Sequence, residues 1–143
     1  MDGVVLSERI PTPQQYIALR KAMGWGEIDL ATAERTLAAA AFTVCLHRGD
    51  KLVGLARVMG DGALYFFLAD LIVAAEARSG GHGDRLMQAV ADYFDRAAKP
   101  GATITLVPMQ GREGFYERFG FVRTPDGPFG QGMHYRKAPS PSA

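Results

Sequence analysis

Cysteine occurs once in this chain of 143 residues, at Cys45. A single thiol cannot close an internal disulfide, so the fold must hold without a covalent staple, and a reducing cytoplasm is the expected compartment. Neither sign of charge is in excess: 16 Lys and Arg stand against 15 Asp and Glu, a formal net charge of +1. That balance offers no electrostatic footprint for nucleic acid or a membrane surface, and neither is expected as a partner. Long apolar runs are also missing. None approaches the roughly 20 residues that a membrane helix needs, and Met1-Asp2-Gly3 lacks the basic and apolar regions of a signal peptide. The histidines His47, His82 and His134 lie far apart without metal-ligand spacing, so no metal is expected. No internal repeat is visible.

What is present has the composition of a globular protein, with 48% hydrophobic and 22% charged residues. The length fits one domain with a sizeable core, expected over residues 1–137, followed by a disordered tail at 138–143. Val4-Val5-Leu6 reads as an opening strand. Thr12-Pro13-Gln14-Gln15 starts a helix with a capping box and a proline in the first turn, and Gly24-Trp25-Gly26 ends it. Asp29 caps a second helix carrying Leu30, Ala33, Leu37 and Ala40 on one side. Phe42–Leu46 and Lys51–Met59 flank the hairpin turn Arg48-Gly49-Asp50. The run Leu64–Val73 is apolar on both faces except at Asp70, as a central strand should be. Leu86, Val90, Phe94 and Ala97 mark one face of a helix from Gly83 to Ala98, and Thr103–Val107 is strand-like. Phe115 and Phe119 sit four apart on a short helix ended by Gly120. Phe121-Val122 and Met133–Arg136 are the expected final strands. The resulting β-α-α-β-β-β-α-β-α-β-β order predicts an α+β fold: a mixed, largely antiparallel sheet with helices on both faces.

The stretch Asp70–Leu86, DLIVAAEARSGGHGDRL, carries the strongest chemical signal. Glycines between a strand and a helix let backbone approach a ligand closely, and the first N–H groups of a helix have no internal partner. Together they make an anion site suited to phosphate or pyrophosphate. Gly83 is followed by Asp84-Arg85, not by the Lys-Ser/Thr of a P-loop, and the third glycine of a dinucleotide fingerprint is replaced by Leu86. The spacing that fits is R/Q-x-x-G-x-G/A, at Arg78, Gly81 and Gly83.

This loop resembles the coenzyme A loop of the GNAT superfamily of N-acetyltransferases, and Gly114-Phe115-Tyr116-Glu117-Arg118-Phe119-Gly120-Phe121 resembles a second family segment at the matching order and distance. The element order is also that of the GNAT fold. The resemblance implies an acetyl-CoA co-substrate and a small-molecule or peptide amine as acceptor. It implies backbone contacts from Leu71, Ile72 and Val73 to the pantetheine arm. It implies a pyrophosphate cradle in Arg78, Ser79, Gly80, Gly81, His82, Gly83 and Asp84, with Tyr116 as general acid to the leaving thiolate. The sequence departs from the family at Met109, where many members carry asparagine, and at Ser79-Gly80, where basic or bulky residues are commoner.

Other candidates carry two readings each. Tyr116 is either that acid or a packed aromatic. Asp70 is either a base or acceptor for the substrate ammonium, or a structural carboxylate paired with an arginine such as Arg57. Trp25 is either a wall of the acceptor site or a buried anchor. Arg78 and Arg85 either reach phosphate or are solvated. Cys45, in an apolar run, is core, with a covalent acetyl-enzyme route as the lesser reading. The expected function is transfer of an acetyl group from the thioester to a primary amine by direct attack in a ternary complex. The alternatives are a non-catalytic acyl-CoA sensor and a nucleotide-binding module. A homodimer stays open.

Overall fold

A computed structural model describes residues 2–134 and 136–137. The expected tail at 138–143 and Tyr135 lie outside the described residues. The chain divides into two compact units, Met1–Val107 and Pro108–Ala143. The first contains β1 (Val4–Ser7), α1 (Pro13–Ala22), α2 (Leu30–Ala38), β2 (Phe42–Arg48), β3 (Lys51–Gly60), β4 (Tyr65–Val73), α3 (His82–Ala97) and β5 (Thr103–Leu106). The second contains α4 (Glu113–Glu117).

Local chemistry explains the element ends. The Thr12 hydroxyl accepts from Gln15 N–H while the Gln15 side chain accepts from Thr12 N–H, closing the expected capping box on α1. Asp29 caps α2 by accepting from Thr32 N–H, and hydrogen bonding to the Thr32 side chain, with this backbone bond, holds its carboxyl below the usual range. Ahead of β4, the Asp61 carboxylate takes the N–H groups of Ala63, Leu64 and Tyr65 and turns the chain back.

The five strands form one sheet in the order β1-β2-β3-β4-β5. Pairs from β1 to β4 are antiparallel, and β4–β5 is parallel across the α3 connection, which makes the sheet mixed as expected. On one side, α3 buries Leu86, Met87, Val90, Tyr93 and Phe94. There Tyr93 stacks on Phe42 with centroids 4.5 Å apart and meets Phe66 edge-on at 5.9 Å. The other side is covered by α1 and α2, which bury Tyr16, Leu19, Ala33 and Leu37.

One register feature corrects the strict alternation expected of a regular strand. Consecutive β3 residues Arg57 and Val58 oppose Asp70 and Leu68, so Ala69 is an extra residue in β4. Strict alternation would have put Asp70 on one face with Phe66 and Leu68. The bulge instead turns Asp70 and Ile72 toward the α1–α2 side, where Arg57 and Leu55 oppose them. A second correction concerns the end of the chain. The expected strands at Phe121-Val122 and Met133–Arg136 do not form among the described residues, and Met133 is 95% exposed. Without a buried apolar face, little offsets the entropy of ordering a strand there.

The α1–α2 side carries the polar element of the core. The Arg57 guanidinium is 5% exposed, yet Nε donates to Asp70 Oδ2 at 2.6 Å, Nη2 to the Tyr16 hydroxyl at 3.1 Å, and Nη1 to Thr36 O at 2.9 Å. The Tyr16 hydroxyl donates in turn to Asp70 Oδ2 at 2.8 Å. Removing the carboxylate by Asp70→Ala strands a buried guanidinium. The expected cost is about 3–5 kcal/mol in urea unfolding, and a loss under about 1 kcal/mol would show that the pair does not support the fold.

Candidate functional site

The site is built where β4 outlasts its neighbour. The β4–β5 ladder runs from Tyr65↔Thr103 to Leu68↔Leu106 and stops, while β4 continues to Val73. On its other edge β4 stays paired with β3 as far as Val73↔Gly54, and Ala74 N–H bonds Val53 O. Since backbone groups alternate along a strand, Leu71 and Val73 turn theirs to the edge that no strand pairs among the described residues. Val73 O is in fact reached there by Arg78 Nε at 3.0 Å.

A 3-10 turn, Ala75–Gly80, leads from this edge to α3. Gly81 takes the left-handed conformation at φ 71°, which glycine adopts without a Cβ penalty, and serves as the α3 N-cap with no side-chain bond to offer. The first helical bond runs from Arg85 N–H to Gly81 O at 3.3 Å. The N–H groups of His82 and Gly83 therefore lie in the first turn ahead of that bond, with the positive end of a 16-residue helix dipole behind them. The nearby cationic side chains are engaged elsewhere. Arg78 is spent on Val73 O and the Met23 sulfur, and Arg85 points back to Val4 O at 3.3 Å.

Gly80 has a different task. A Cβ there would lie 2.5 Å from His82 Nε2 and 2.9 Å from Asp2 Oδ2. His82 is 3% exposed, with Nε2 2.6 Å from Asp2 Oδ2 and Nδ1 3.1 Å from Arg85 Nη1. Arginine can only donate, so Nδ1 accepts and the Nε2 proton faces Asp2. Asp2, which also accepts from Val4 N–H, thereby ties the first strand to the start of α3.

Asp70 lies on β4 beside this edge but is 5% exposed and already takes Arg57 and Tyr16 on one oxygen. Burial, with the Asp70 charge beside it, pushes the Tyr16 phenol up, which keeps it a donor. Of the two readings of Asp70, the geometry supplies the arginine pair of the structural one. The Tyr16 partner is 54 residues away, so no local signal in the sequence announced the contact. Trp25 is half-buried between Gly24 and Gly26, both at positive φ, and its ring lies 5.8 Å from the Arg20 guanidinium. Arg20 also covers Tyr16 at 5.7 Å, which links Trp25 to the Asp70 cluster. Cys45 is fully buried, its thiol pushed up to about 12 by burial, far from the thiolate state that a covalent route needs.

In the second unit, Tyr116 is half-buried on α4. Its ring meets Phe115 edge-on at 5.0 Å and Phe121 at 6.3 Å, while Phe115 and Phe119 are 5.5 Å apart. Burial pushes its phenol up, against a smaller opposing effect of Arg112. No hydrogen bond to its hydroxyl is made among the described residues. Met109, at the departure from the family pattern, is 67% exposed.

A protein-family profile described as acetyltransferase (GNAT) domain matches residues 21–135. The chain belongs to the GNAT acetyltransferase family. Acyl transfer from acetyl-CoA is accordingly its general chemistry. A probable acetyltransferase from meticillin-resistant Staphylococcus aureus is 30% identical, with 92% of this chain and 99% of that one covered at a TM-score of 0.81. A GNAT family acetyltransferase from Streptococcus pneumoniae is 26% identical over 94% and 98% of the two chains, at a TM-score of 0.75. Naa50 of Arabidopsis thaliana, solved with the bisubstrate analogue CoA-Ac-MVNAL, is 25% identical over 85% of each chain, at a TM-score of 0.67. No protein of curated function matches in sequence. No helix among the described residues is long and apolar enough to cross a membrane.

The Asp2 carboxyl is held below the usual range, chiefly by its hydrogen bond to His82. Its contact therefore adds stability above the usual carboxylate range and loses it as the pH falls through the lowered value. Gly80→Ala displaces the imidazole, and the Asp2 titration, followed by carbon-detected NMR, should move up toward the usual range. An unmoved titration would separate Gly80 from the His82–Asp2 contact.

Proposed function

We propose that this GNAT protein moves an acetyl group from acetyl-CoA to a primary amine by direct attack in a ternary complex, and that residues 1–137 belong to one acetyltransferase domain. The observation that carries the reading is the junction in the first unit: a length of β4 edge that no strand pairs among the described residues leads, through the 3-10 turn, to the first turn of α3. Amide groups of a pantetheine arm match the edge at Leu71–Val73. A pyrophosphate matches the turn and helix start formed by Ser79, Gly80, Gly81, His82, Gly83 and Asp84. Arg78 would exchange its bond to Val73 O for solvent or phosphate as the arm takes that edge. The domain reading is supported by the family match, which runs through both units.

Tyr116 is proposed as the proton or hydrogen-bond donor to the leaving thiolate, on the strength of its place in the Gly114–Phe121 pattern. A phenol ordinarily titrates near 10 and a thiol near 8.5, so full transfer to the thiolate is uphill and becomes more so as burial raises the phenol. Its contribution is therefore mainly hydrogen-bond stabilisation of charge developing on sulfur. For Asp70, the buried ion pair supports a positioning role: it fixes Tyr16, and with it the α1 surface that carries Arg20 and Trp25. Trp25 with Arg20 is the proposed acceptor wall. A cytoplasmic amine, small or peptidic, is the proposed acceptor.

The test follows thiol release from acetyl-CoA across amines, amino acids, aminosugars and a peptide beginning MVNAL, the sequence in the analogue bound by Arabidopsis Naa50. Release dependent on one amine class supports transfer. Tight coenzyme A binding without release for any class leaves the sensor reading. Gly83→Val places a branched side chain in the first turn of α3. Calorimetry should show coenzyme A affinity falling sharply while circular dichroism is unchanged, and unchanged affinity would remove this turn from the site. Tyr116→Phe removes one oxygen with little volume. Single-turnover release should slow by about 10²-fold, the low end for a positioned donor, with acetyl-CoA affinity nearly intact. A change below about threefold would leave Tyr116 as packing and water as the proton source.

A further inference from the structure

At the opposite edge of the sheet, β1 and β2 carry an open pocket that lies outside the proposed acetyl-transfer site. It measures about 340 Å³ and is lined by Val5, Ser7, Arg9, His47 and Gly49. Register explains the lining: Val5 opposes His47 and Ser7 opposes Cys45, so these side chains share the α1–α2 side of the sheet. The buried Cys45 thiol donates to Arg9 O at 3.2 Å and fastens the segment leaving β1 over that face. The β2–β3 turn is fastened as well, with Gln15 Nε2 donating to Asp50 O at 2.9 Å.

Two of the lining residues have a buried polar atom with no hydrogen-bond partner, Ser7 Oγ and His47 Nδ1. His47 is only 4% exposed. Buried polar groups in folded proteins nearly always find a hydrogen-bond partner, so two at one cavity point to something that normally supplies it. Arg9 lines the same space, and no hydrogen bond or ion pair engages its guanidinium among the described residues. The donor set is a guanidinium fork, a hydroxyl and an imidazole. Val5 and Gly49 complete the lining.

We propose that this cavity binds a small aliphatic carboxylate, with the carboxylate on Arg9, Ser7 and His47 and a short apolar tail against Val5. A planar two-oxygen anion matches the arginine fork and accepts from the hydroxyl or the imidazole at the same time. Arg9 is the one cation in the lining, which suits a monoanion better than a phosphate dianion. A metal ion is disfavoured because a single imidazole and no carboxylate line the cavity. The site lies at β1–β2, with β3 between it and β4, and it does not depend on the acetyl-transfer reading.

The full chain, with its His47 ring followed by NMR, is titrated with butyrate, n-butanol and inorganic phosphate. The charged groups facing His47 are Arg9, which together with burial holds its pKa down, and Asp50, which opposes them; the Cys45 thiol stays neutral. Butyrate should give a saturable shift of the His47 signals and raise the His47 pKa, because an added anion favours the imidazolium. Arg9→Ala should weaken butyrate binding by at least about tenfold, as loss of a charge-assisted bond does, and Ser7→Ala by less. An absent or unsaturable shift, an equal response to butanol or to phosphate, or unchanged binding by Arg9→Ala would each overturn the proposal. All three read on folded protein without acetyl-CoA.

Discussion

A single buried guanidinium gathers four elements of this fold. Arg57 reaches from β3 to Asp70 on β4, to Tyr16 on α1 and to Thr36 on α2. Burying one charge is costly, and burying two is tolerable only when geometry and hydrogen bonds are nearly complete. Here the arginine spreads donors over all three nitrogens, and the phenol fills the gap by accepting from Arg57 and donating to Asp70. This fixes α1 against the sheet by directed bonds as well as by apolar contact. It also sets the place of Arg20 and Trp25, which stack outward from Tyr16.

The candidate site results from two incomplete hydrogen-bond systems placed end to end. Among the described residues, β4 loses its parallel neighbour five residues early, counting Ala69–Val73, and α3 begins with N–H groups that precede its first intrahelical bond. Each is a defect in regular structure that a polar ligand can complete, and β4 leads from one to the other through a single 3-10 turn. On the proposed function, the backbone holds a long, amide-rich, phosphate-bearing molecule with few charged side chains. That fits the near-neutral composition and the small residues at Ser79-Gly80.

Local signals in the sequence were reliable where the cause was local. Thr12 with Gln15, Asp29 with Thr32, and Gly81 at the head of α3 all behave as their chemistry dictates within a few residues. Features made by distant pairing were not legible. The Tyr16–Asp70 bond joins residues 54 apart, and the Asp2–His82 bond joins residues 80 apart. The reason Gly80 must be glycine is visible only once the second of these exists. The apolar run Leu64–Val73 identified the strand but not its bulge, because Ala69 fits either face. The last two strands failed for a related reason: Phe121-Val122 and the residues around Met133 have strand composition, but nothing among the described residues gives them a partner.

The extra residue at Ala69 makes β4 two half-strands of opposite phase. Phe66 and Leu68 keep one beat with the α3 side, and Asp70 and Ile72 keep the other. Deleting one residue anywhere between Leu68 and Asp70 would bring the halves into step, sending either the aromatic half or the ion-paired half to the wrong side of the sheet. The number of residues in this strand is thus as constrained as their identity. Length variation among related chains should collect in the turns, such as Asp61–Leu64, and leave the span from Phe66 to Val73 ungapped.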